Sequence, residues 1–481
     1  MTSIITLPSN QLSSRLGQRH ELFVQTCNLP CSAETAFAWH EQPGALQRLL
    51  PAYQPITVVQ SSKSLREGSQ VHLRIPIGGM RWTWVAEHRD YIPGRLFRDV
   101  QLRGPFRSFD HRHEFLPLDS QSCVLRDEIT WSLWGGAWLQ RRMKPWIERE
   151  LSRMFRYRHA VLKADMEQRN RQIHAGVTMK RILITGATGL VGTELTHLLT
   201  TQGFEVYRLT RRDPQDARDI PWNPERQEIF PARLEGMDAV IHLAGENISA
   251  ARWTPTFKEK IRRSRVAGTQ LLCTTLSRLE RKPSLLLSAS AIGYYGDRGV
   301  EILHEDSAPG TGFLPEVCQA WEQACDPARD AGIRVVCMRI GVVLSPRGGA
   351  LHKMLPAFRW GVGGVIGSGQ QYMSWIALDD VAGAIWHLLQ QPAISGPVNL
   401  TAPHPVTNRE FTRVLSRVLH RPAVFPLPAF AAKLALGEMA EELLLSSTRV
   451  EPTKLLHSGY VFRHPTLEEA LCHLLGIPGP A

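Results

Sequence analysis

The sequence predicts two units of different fold class: an α+β unit with an antiparallel sheet closed by a long helix, then an α/β unit built on a doubly wound parallel sheet. Three observations predict this. The chain has 481 residues, two to three times the size of a typical single domain. Up to about residue 134 its apolar residues alternate or run in short stretches, and then they recur at helical spacing. Beyond Met179 apolar runs alternate with helical stretches, the pattern of parallel strands joined by helices. Charge divides at the same place. Of the formal net charge of +11, residues 1–179 carry +8 and the rest of the chain only +3. With 43% apolar and 21% charged residues, a disordered chain, a coiled coil and a collagen-like repeat are excluded.

The front unit reads in order as follows. The first twenty residues are polar and expected to be loose. Strands are expected at 21–26, 56–60, 70–75, 81–90, 95–102, 109–115 and 123–133, separated by turns that hold Gly or Pro. The two-residue strand period puts Trp82 and Trp84 on one face. Then Leu139, Met143, Trp146, Ile147, Leu151, Met154, Phe155 and Leu162 mark a long amphipathic helix. Residues 141–171 hold ten Lys/Arg against four Asp/Glu; a solvated outer face accounts for them better than a specific anionic partner. No nucleic-acid motif or row of stacking aromatics accompanies these charges, so no nucleic-acid partner is expected. His111 and His113 point the same way at i, i+2, but spacing identifies no third ligand, so no metal is expected. Seven of the thirteen tryptophans lie in residues 1–179, enough to fill a core or to line a cavity for a hydrophobic ligand.

A polar linker is expected at 169–179. The α/β unit follows with strands at 181–186, 205–210, 238–245, 284–290 and 334–344. The eight cysteines are scattered without a CxxC pair, and several sit in apolar runs, as Cys337 does. They read as reduced thiols of a cytoplasmic protein. The amino terminus has no continuous apolar segment with a cleavage site, and no stretch approaches 18 apolar residues, so neither a signal peptide nor a membrane span is expected.

The chemistry concentrates at Thr185-Gly186-Ala187-Thr188-Gly189-Leu190-Val191-Gly192, directly after an apolar strand and at the start of a helix. Gly186 permits the tight turn, Gly189 lets backbone approach a pyrophosphate, and Gly192 lets helix and strand pack closely; the helix amino terminus offers oriented N–H groups. An acid at the end of the second strand would bind a ribose 2′-hydroxyl. Here Thr210 stands at that point and Arg211 and Arg212 follow, which favours a 2′-phosphate and hence NADP over NAD.

Together with that turn, the stretches DAVIHLAGENI, Arg252-Trp253-Thr254 with Lys258 and Ser264-Arg265, LLLSASAIGYYGDRG, MRIGVVLSPRGGAL and GGVIGSGQQYMSWIALDDV resemble the sugar-nucleotide-epimerase-like family of extended short-chain dehydrogenases. The tail from PLPAF to GYVFRHPTLEEAL resembles that family's small carboxy-terminal domain of unknown function. Residues 21–168, through RMFRYRHAVLKADM, more loosely resemble the helix-grip (START/Bet v 1-like) ligand-binding superfamily. The resemblance implies a helix-grip domain at 21–168, a Rossmann-type dinucleotide domain at 180–400 and a small substrate-side domain at 401–478. It implies cofactor contacts at Gly186, Gly189, Leu190, Val191 and Gly192, at Arg211 and Arg212, and at Leu243, Ala244 and Gly245. Glu246 and Arg252 are expected to line the cofactor or the substrate.

One part of the family pattern is missing. Extended short-chain dehydrogenases pair a Ser or Thr with a Tyr-x-x-x-Lys motif that moves a proton to or from the substrate oxygen. Ser290 matches the Ser position. Alignment on Glu322 puts Leu314 at the Tyr position and Cys318 at the Lys position. Tyr294 or Tyr295 replaces the acid/base, or Cys318 does, or the chain binds NADP without carbonyl chemistry. The expectation is an NADP-dependent oxidoreductase or epimerase acting on a carbonyl or hydroxyl small molecule that the sequence does not identify, a nucleotide sugar being one candidate; the alternative is a non-catalytic NADP-binding or scaffold protein.

Overall fold

Seven strands build the first sheet in a computed structural model, which describes residues 20–62, 64–77, 79–173 and 179–479. Of the twenty residues expected to be loose, 1–19 lie outside the described residues, as does the centre of the expected linker (174–178). The chain divides into two units, one of residues up to Phe37 with Ile56–Arg156, the other of Ala38–Pro55 with Tyr157–Ala481.

The first unit contains β1 (Glu21–Leu29) and, after helices α1 (Ala33–Glu41) and α2 (Ala45–Leu49), strands β2 (Thr57–Ser61), β3 (Gln70–Ile77), β4 (Met80–Ile92), β5 (Leu96–Arg103), β6 (Ser108–Pro117) and β7 (Cys123–Ser132). Helix α3 (Gly136–Ile173) follows. The order β1-β7-β6-β5-β4-β3-β2 is antiparallel throughout. In β7, Cys123, Leu125, Asp127, Ile129 and Trp131 are buried while Val124, Arg126, Glu128 and Thr130 between them are half-buried, the period-2 signature of a sheet covered on one face. The first half of α3 covers that face with Ile147, Leu151 and Phe155 against Phe23, Phe109, Ile129 and Trp131. Each such side chain contributes roughly 1.5–3 kcal/mol by leaving water. The predicted antiparallel sheet with its closing helix is observed.

Two differences have physical causes. Helices α1 and α2 were not anticipated, because nine and five residues are too few to express a helical period. A local signal was present in the cap: the Ser32 hydroxyl accepts the Thr35 N–H at 3.2 Å. Helix α3 extends to Ile173, through the first residues of the expected linker. Polar residues alone do not stop a helix, and no Gly or Pro stands between 146 and 173.

The second unit opens with β8 (Arg181–Thr185), α4 (Leu190–Thr201), β9 (Glu205–Thr210), β10 (Asp219–Pro221), β11 (Ala239–His242), α5 (Pro255–Ser277) and β12 (Leu285–Ala291). It continues through β13 (Ile302–Leu303), α6 (Phe313–Gln323), α7 (Asp326–Asp330), β14 (Arg334–Ile340), β15 (Val342–Ser345), α8 (Gly349–Arg359), β16 (Tyr372–Met373), β17 (Trp375–Ala377), α9 (Leu378–Leu389) and β18 (Gly396–Leu400). The parallel order is β10-β9-β8-β11-β12-β14-β18, so the winding reverses between β8 and β11, where ligands gather at strand ends. Ile182, Ile184, Ile241 and Leu287 pack on one face, and Leu183, Val240 and Leu286 on the other. Burial on both faces is why these strands read as unbroken apolar runs. The run 334–344, expected as one strand, is split at Gly341, where a Cβ would meet the Ser374 carbonyl at 2.7 Å. Beyond it β15 pairs with β17 instead of continuing the sheet. The carboxy-terminal segment adds helices that bury Phe411, Val414, Leu415, Leu467 and Leu471 against Leu351, Leu355 and Trp375.

One buried cation ties four helical segments of this unit together. Arg48, from α2, reaches Asp165 through Nη2 and Nε (2.9 and 3.1 Å), Asp379 at 3.0 Å, and Glu194. Its side chain is fully buried. Removing one partner of such a group strands the others without compensation. Arg48→Met is therefore expected to lower unfolding stability by about 3–5 kcal/mol, read as a fall in denaturant midpoint; a change within error would show that the carboxylates are compensated elsewhere.

Candidate functional site

The chain leaves β8 in a turn that only glycine accommodates. Gly186 has φ +68°, and a Cβ there would lie 2.8 Å from the Leu243 carbonyl, so a side chain would be both strained and obstructed. Gly192, in the first turn of α4, would place a Cβ 2.2 Å from the Gly186 oxygen. Gly189 caps α4 without a side-chain acceptor, which leaves the first turn suited to an anion.

Beneath the turn runs a fully paired polar chain. The Thr269 hydroxyl donates to the Arg265 carbonyl (2.6 Å) and accepts from Trp321 Nε1 (2.9 Å). Its remaining acceptor capacity faces His242 Nε2 at 2.9 Å, so that nitrogen carries the proton. His242 Nδ1 then accepts from the Thr185 hydroxyl (2.7 Å), whose oxygen accepts the N–H groups of Leu243 and Ala244, each at 3.1 Å. Burial pushes His242 down to about 4, in keeping with a neutral ring. Arg265 steadies the next turn by donating to the Glu246 carbonyl at 3.1 Å, and burial lowers its pKa.

The elements surround a cleft of 1430 Å³. Gly186, Gly189, Arg211, Arg212, Leu243, Ala244, Gly245 and Glu246 line it. Leu190, Val191 and Gly192 stand behind this wall: Leu190 packs toward Gly348, and Val191 against the apolar core. Arg252 lies elsewhere, its guanidinium beside Gly437. The acids Asp216 and Asp219 engage Arg208, while Arg211 and Arg212 make no ion pair among the described residues and present their charge to the cleft. Lys260 and Arg263 also line it. Sequence reasoning missed them because a helical Lys or Arg carries no signal of which wall it faces. Thr185 and His242 stand within the motifs already named but had no role assigned, although both end strands that flank the glycine turn.

Ser290, Tyr294 and Tyr295 belong to a second network. The Ser290 hydroxyl donates to Glu322 (2.7 Å), and Glu322 holds Arg339 through both oxygens (2.9 and 3.0 Å). Arg339 donates to the Tyr295 hydroxyl (2.9 Å), which donates to Asn399 (2.7 Å). Tyr295 is fully buried, and burial pushes it up to about 12, so its phenol is committed to the core rather than presented as an acid/base. Tyr294 is half-buried with the Arg339 guanidinium 3.5 Å above its ring. Leu314 is packed with Trp253, Ile261, Phe313 and Met439. Cys318 is buried, and desolvation, with Glu322 nearby, pushes its thiol up to about 12; a thiolate nucleophile is disfavoured there. His111 and His113 lie in the first unit, where Asp99 supplies the third ligand-type group that spacing did not reveal.

Residues 182–400 match the model of the NAD dependent epimerase/dehydratase family, residues 427–474 a domain of unknown function (DUF1731), and residues 29–156 the polyketide cyclase/dehydrase and lipid transport family. Over 298 residues the chain is 43% identical to the epimerase family protein Mb2239 of Mycobacterium bovis, covering 62% of this chain and 98% of that one. A crystal structure of a nucleoside-diphosphate sugar epimerase from Corynebacterium glutamicum is 33% identical, with a TM-score of 0.78 over 94% of this chain and 90% of that one. The human epimerase family protein SDR39U1 (isoform 2), solved with NADPH, is 35% identical, with a TM-score of 0.58 over 61% of this chain and 99% of that one. Among the described residues no helix is long and apolar enough to cross a membrane.

The neutral His242 makes stability depend on pH. Its folded pKa of about 4 lies below its ordinary 6.5, so unfolding takes up a proton between those values. The stabilisation is complete above pH 6.5 and is lost as pH falls toward 4. Between about pH 7.5 and about pH 5, wild type is expected to lose about 2 kcal/mol more than His242→Gln. Parallel losses in chemical denaturation would place the proton uptake elsewhere.

Proposed function

The chain belongs to the NAD-dependent epimerase/dehydratase family, and from that premise we propose that it binds NADP(H) in the cleft beside β8 as an oxidoreductase or epimerase. The substrate is a small carbonyl or hydroxyl compound of nucleotide-sugar type. The observation that carries the cofactor reading is the pair Arg211 and Arg212, lining the cleft next to the glycine turn with no acid at Thr210. The residues fit the cofactor: Gly186 and Gly192 let the turn close where a Cβ would meet backbone, Gly189 leaves the first turn of α4 without a side-chain cap, Leu190 and Val191 stand behind them, and Leu243, Ala244, Gly245 and Glu246 form the facing wall. The NADPH bound by the human relative accords with this choice. When bound, the nicotinamide supplies a hydride donor or acceptor. Ser290, held by Glu322, and Tyr294, under Arg339, are the polar groups proposed for the substrate side, with Arg252 farther out.

NADPH is expected to bind wild type saturably in a fluorescence titration. Arg211→Ala/Arg212→Ala should weaken NADPH by at least roughly tenfold, since hydrogen bonds to charged groups contribute about 1.5–3 kcal/mol, while NADH changes little. Equal loss for both nucleotides would overturn the 2′-phosphate assignment.

A second reading, a non-catalytic NADP-binding protein, is favoured by Leu314 and Cys318 at the usual acid/base positions. Deuterated NADPH separates the two readings. Stereospecific transfer of the label to a carbonyl substrate, or inversion of a nucleotide sugar in the presence of NADP⁺, establishes catalysis, whereas saturable binding with neither across a nucleotide-sugar panel supports the second.

A further inference from the structure

Four neighbouring strands of the first unit bring five ionisable side chains to one place. The register sets His88 of β4 opposite Asp99 of β5, Asp99 opposite His111 of β6, and His113 of β6 opposite Asp127 of β7. His88 Nδ1 lies 2.6 Å from one Asp99 oxygen, and His113 Nε2 lies 3.2 Å from the other. One oxygen of Asp127 faces both His111 Nε2 (2.9 Å) and His113 Nδ1 (2.7 Å). The surroundings are aromatic: His113 stacks on Phe97, and His111 meets the Phe155 ring edge-on.

We propose that Asp99, His111 and His113 form a binding site for a divalent first-row transition-metal ion, with Asp127 as the positioning residue for both imidazoles. Asp99, His111 and His113 each offer one ligand atom within 4.8 Å of the others, a separation that small side-chain shifts close onto an ion with bonds of about 2.0–2.2 Å. Imidazole with carboxylate is the donor set of zinc and its neighbours rather than of calcium or magnesium. A carboxylate holding one nitrogen of a ligating histidine is the arrangement that orients such rings. Charge is balanced as well, since one dication offsets Asp99 and Asp127 with the imidazoles neutral. Access is available: the Asp99 side chain is 27% exposed, against 2–7% for Asp127, His88, His111 and His113.

A similar group in the second unit, Asp379, His464 and His473, fits less well. There the Arg48 guanidinium, 3.0 Å from Asp379, already supplies the positive charge.

The test uses the full-length chain, stripped with EDTA and titrated with Co²⁺ and Zn²⁺. One equivalent of Co²⁺ is expected, with ligand-field bands and no sulfur-to-cobalt charge transfer. Asp99→Asn and His113→Gln should each weaken Zn²⁺ at least tenfold, and Asp127→Asn by roughly 10–100-fold. His464→Gln should leave binding unchanged. Circular dichroism checks folding, and if Asp99→Asn fails to fold, His111→Gln carries the comparison. Absence of stoichiometric uptake by wild type overturns the proposal. So does a thiolate band, undiminished binding in the folded first-unit variants, or loss of the ion on His464→Gln.

Discussion

The backbone leaving β8 has to pass within contact distance of the backbone leaving β11, and the rest of the cleft depends on that approach. Gly186 turns with φ +68° against the Leu243 carbonyl, and Gly192 brings α4 onto the same turn. The Thr185 hydroxyl fixes the facing strand end by accepting the N–H groups of Leu243 and Ala244. With both strand ends held, the first turn of α4, the arginines after β9 and the turn at Gly245 share one cleft. The rigidity comes from beneath: Thr185 and Thr269 occupy the two nitrogens of His242, and Thr269 is completed by the Arg265 carbonyl and Trp321, a buried polar chain with every member paired.

Two buried networks elsewhere in the second unit use charge rather than neutral hydrogen bonds. Arg48 gathers carboxylates from α3, α4 and α9, so these segments share one compensating cation. Arg339 links β14 to α6 through Glu322 and to β18 through Tyr295 and Asn399. The second network also reaches Ser290. It ties the Ser290 hydroxyl to Glu322, while the neighbouring positions on α6 present the apolar Leu314 and a Cys318 whose thiol is held protonated by burial.

In the first unit the same logic acts through strand register. Period-2 alternation turns Phe109, His111, His113 and Phe115 to the buried face of β6, and pairing with β5 and β7 sets carboxylates opposite the two histidines. A slip of one residue would send all of them to the other face. The site is therefore a property of three aligned strands and of none alone.

The sequence by itself determined the fold class of both units, the seven strands of the front sheet, five of the seven strands of the parallel sheet and the glycine turn with its arginines. Each is written in a local period or in a residue type with one conformational use. Hydrophobic alternation marked the seven front strands, unbroken apolar runs marked the two-sided sheet, and Gly186 and Gly192 marked the turn. The tertiary structure alone decided what meets across the chain. It buried Tyr295 and left Tyr294 beneath Arg339, moved Arg252 beside Gly437, divided the run at Gly341, and joined Asp99 to His111 and His113. Local pattern reports which face a residue occupies. The partner on that face comes from register and helix docking, which are set by residues tens to hundreds of positions away.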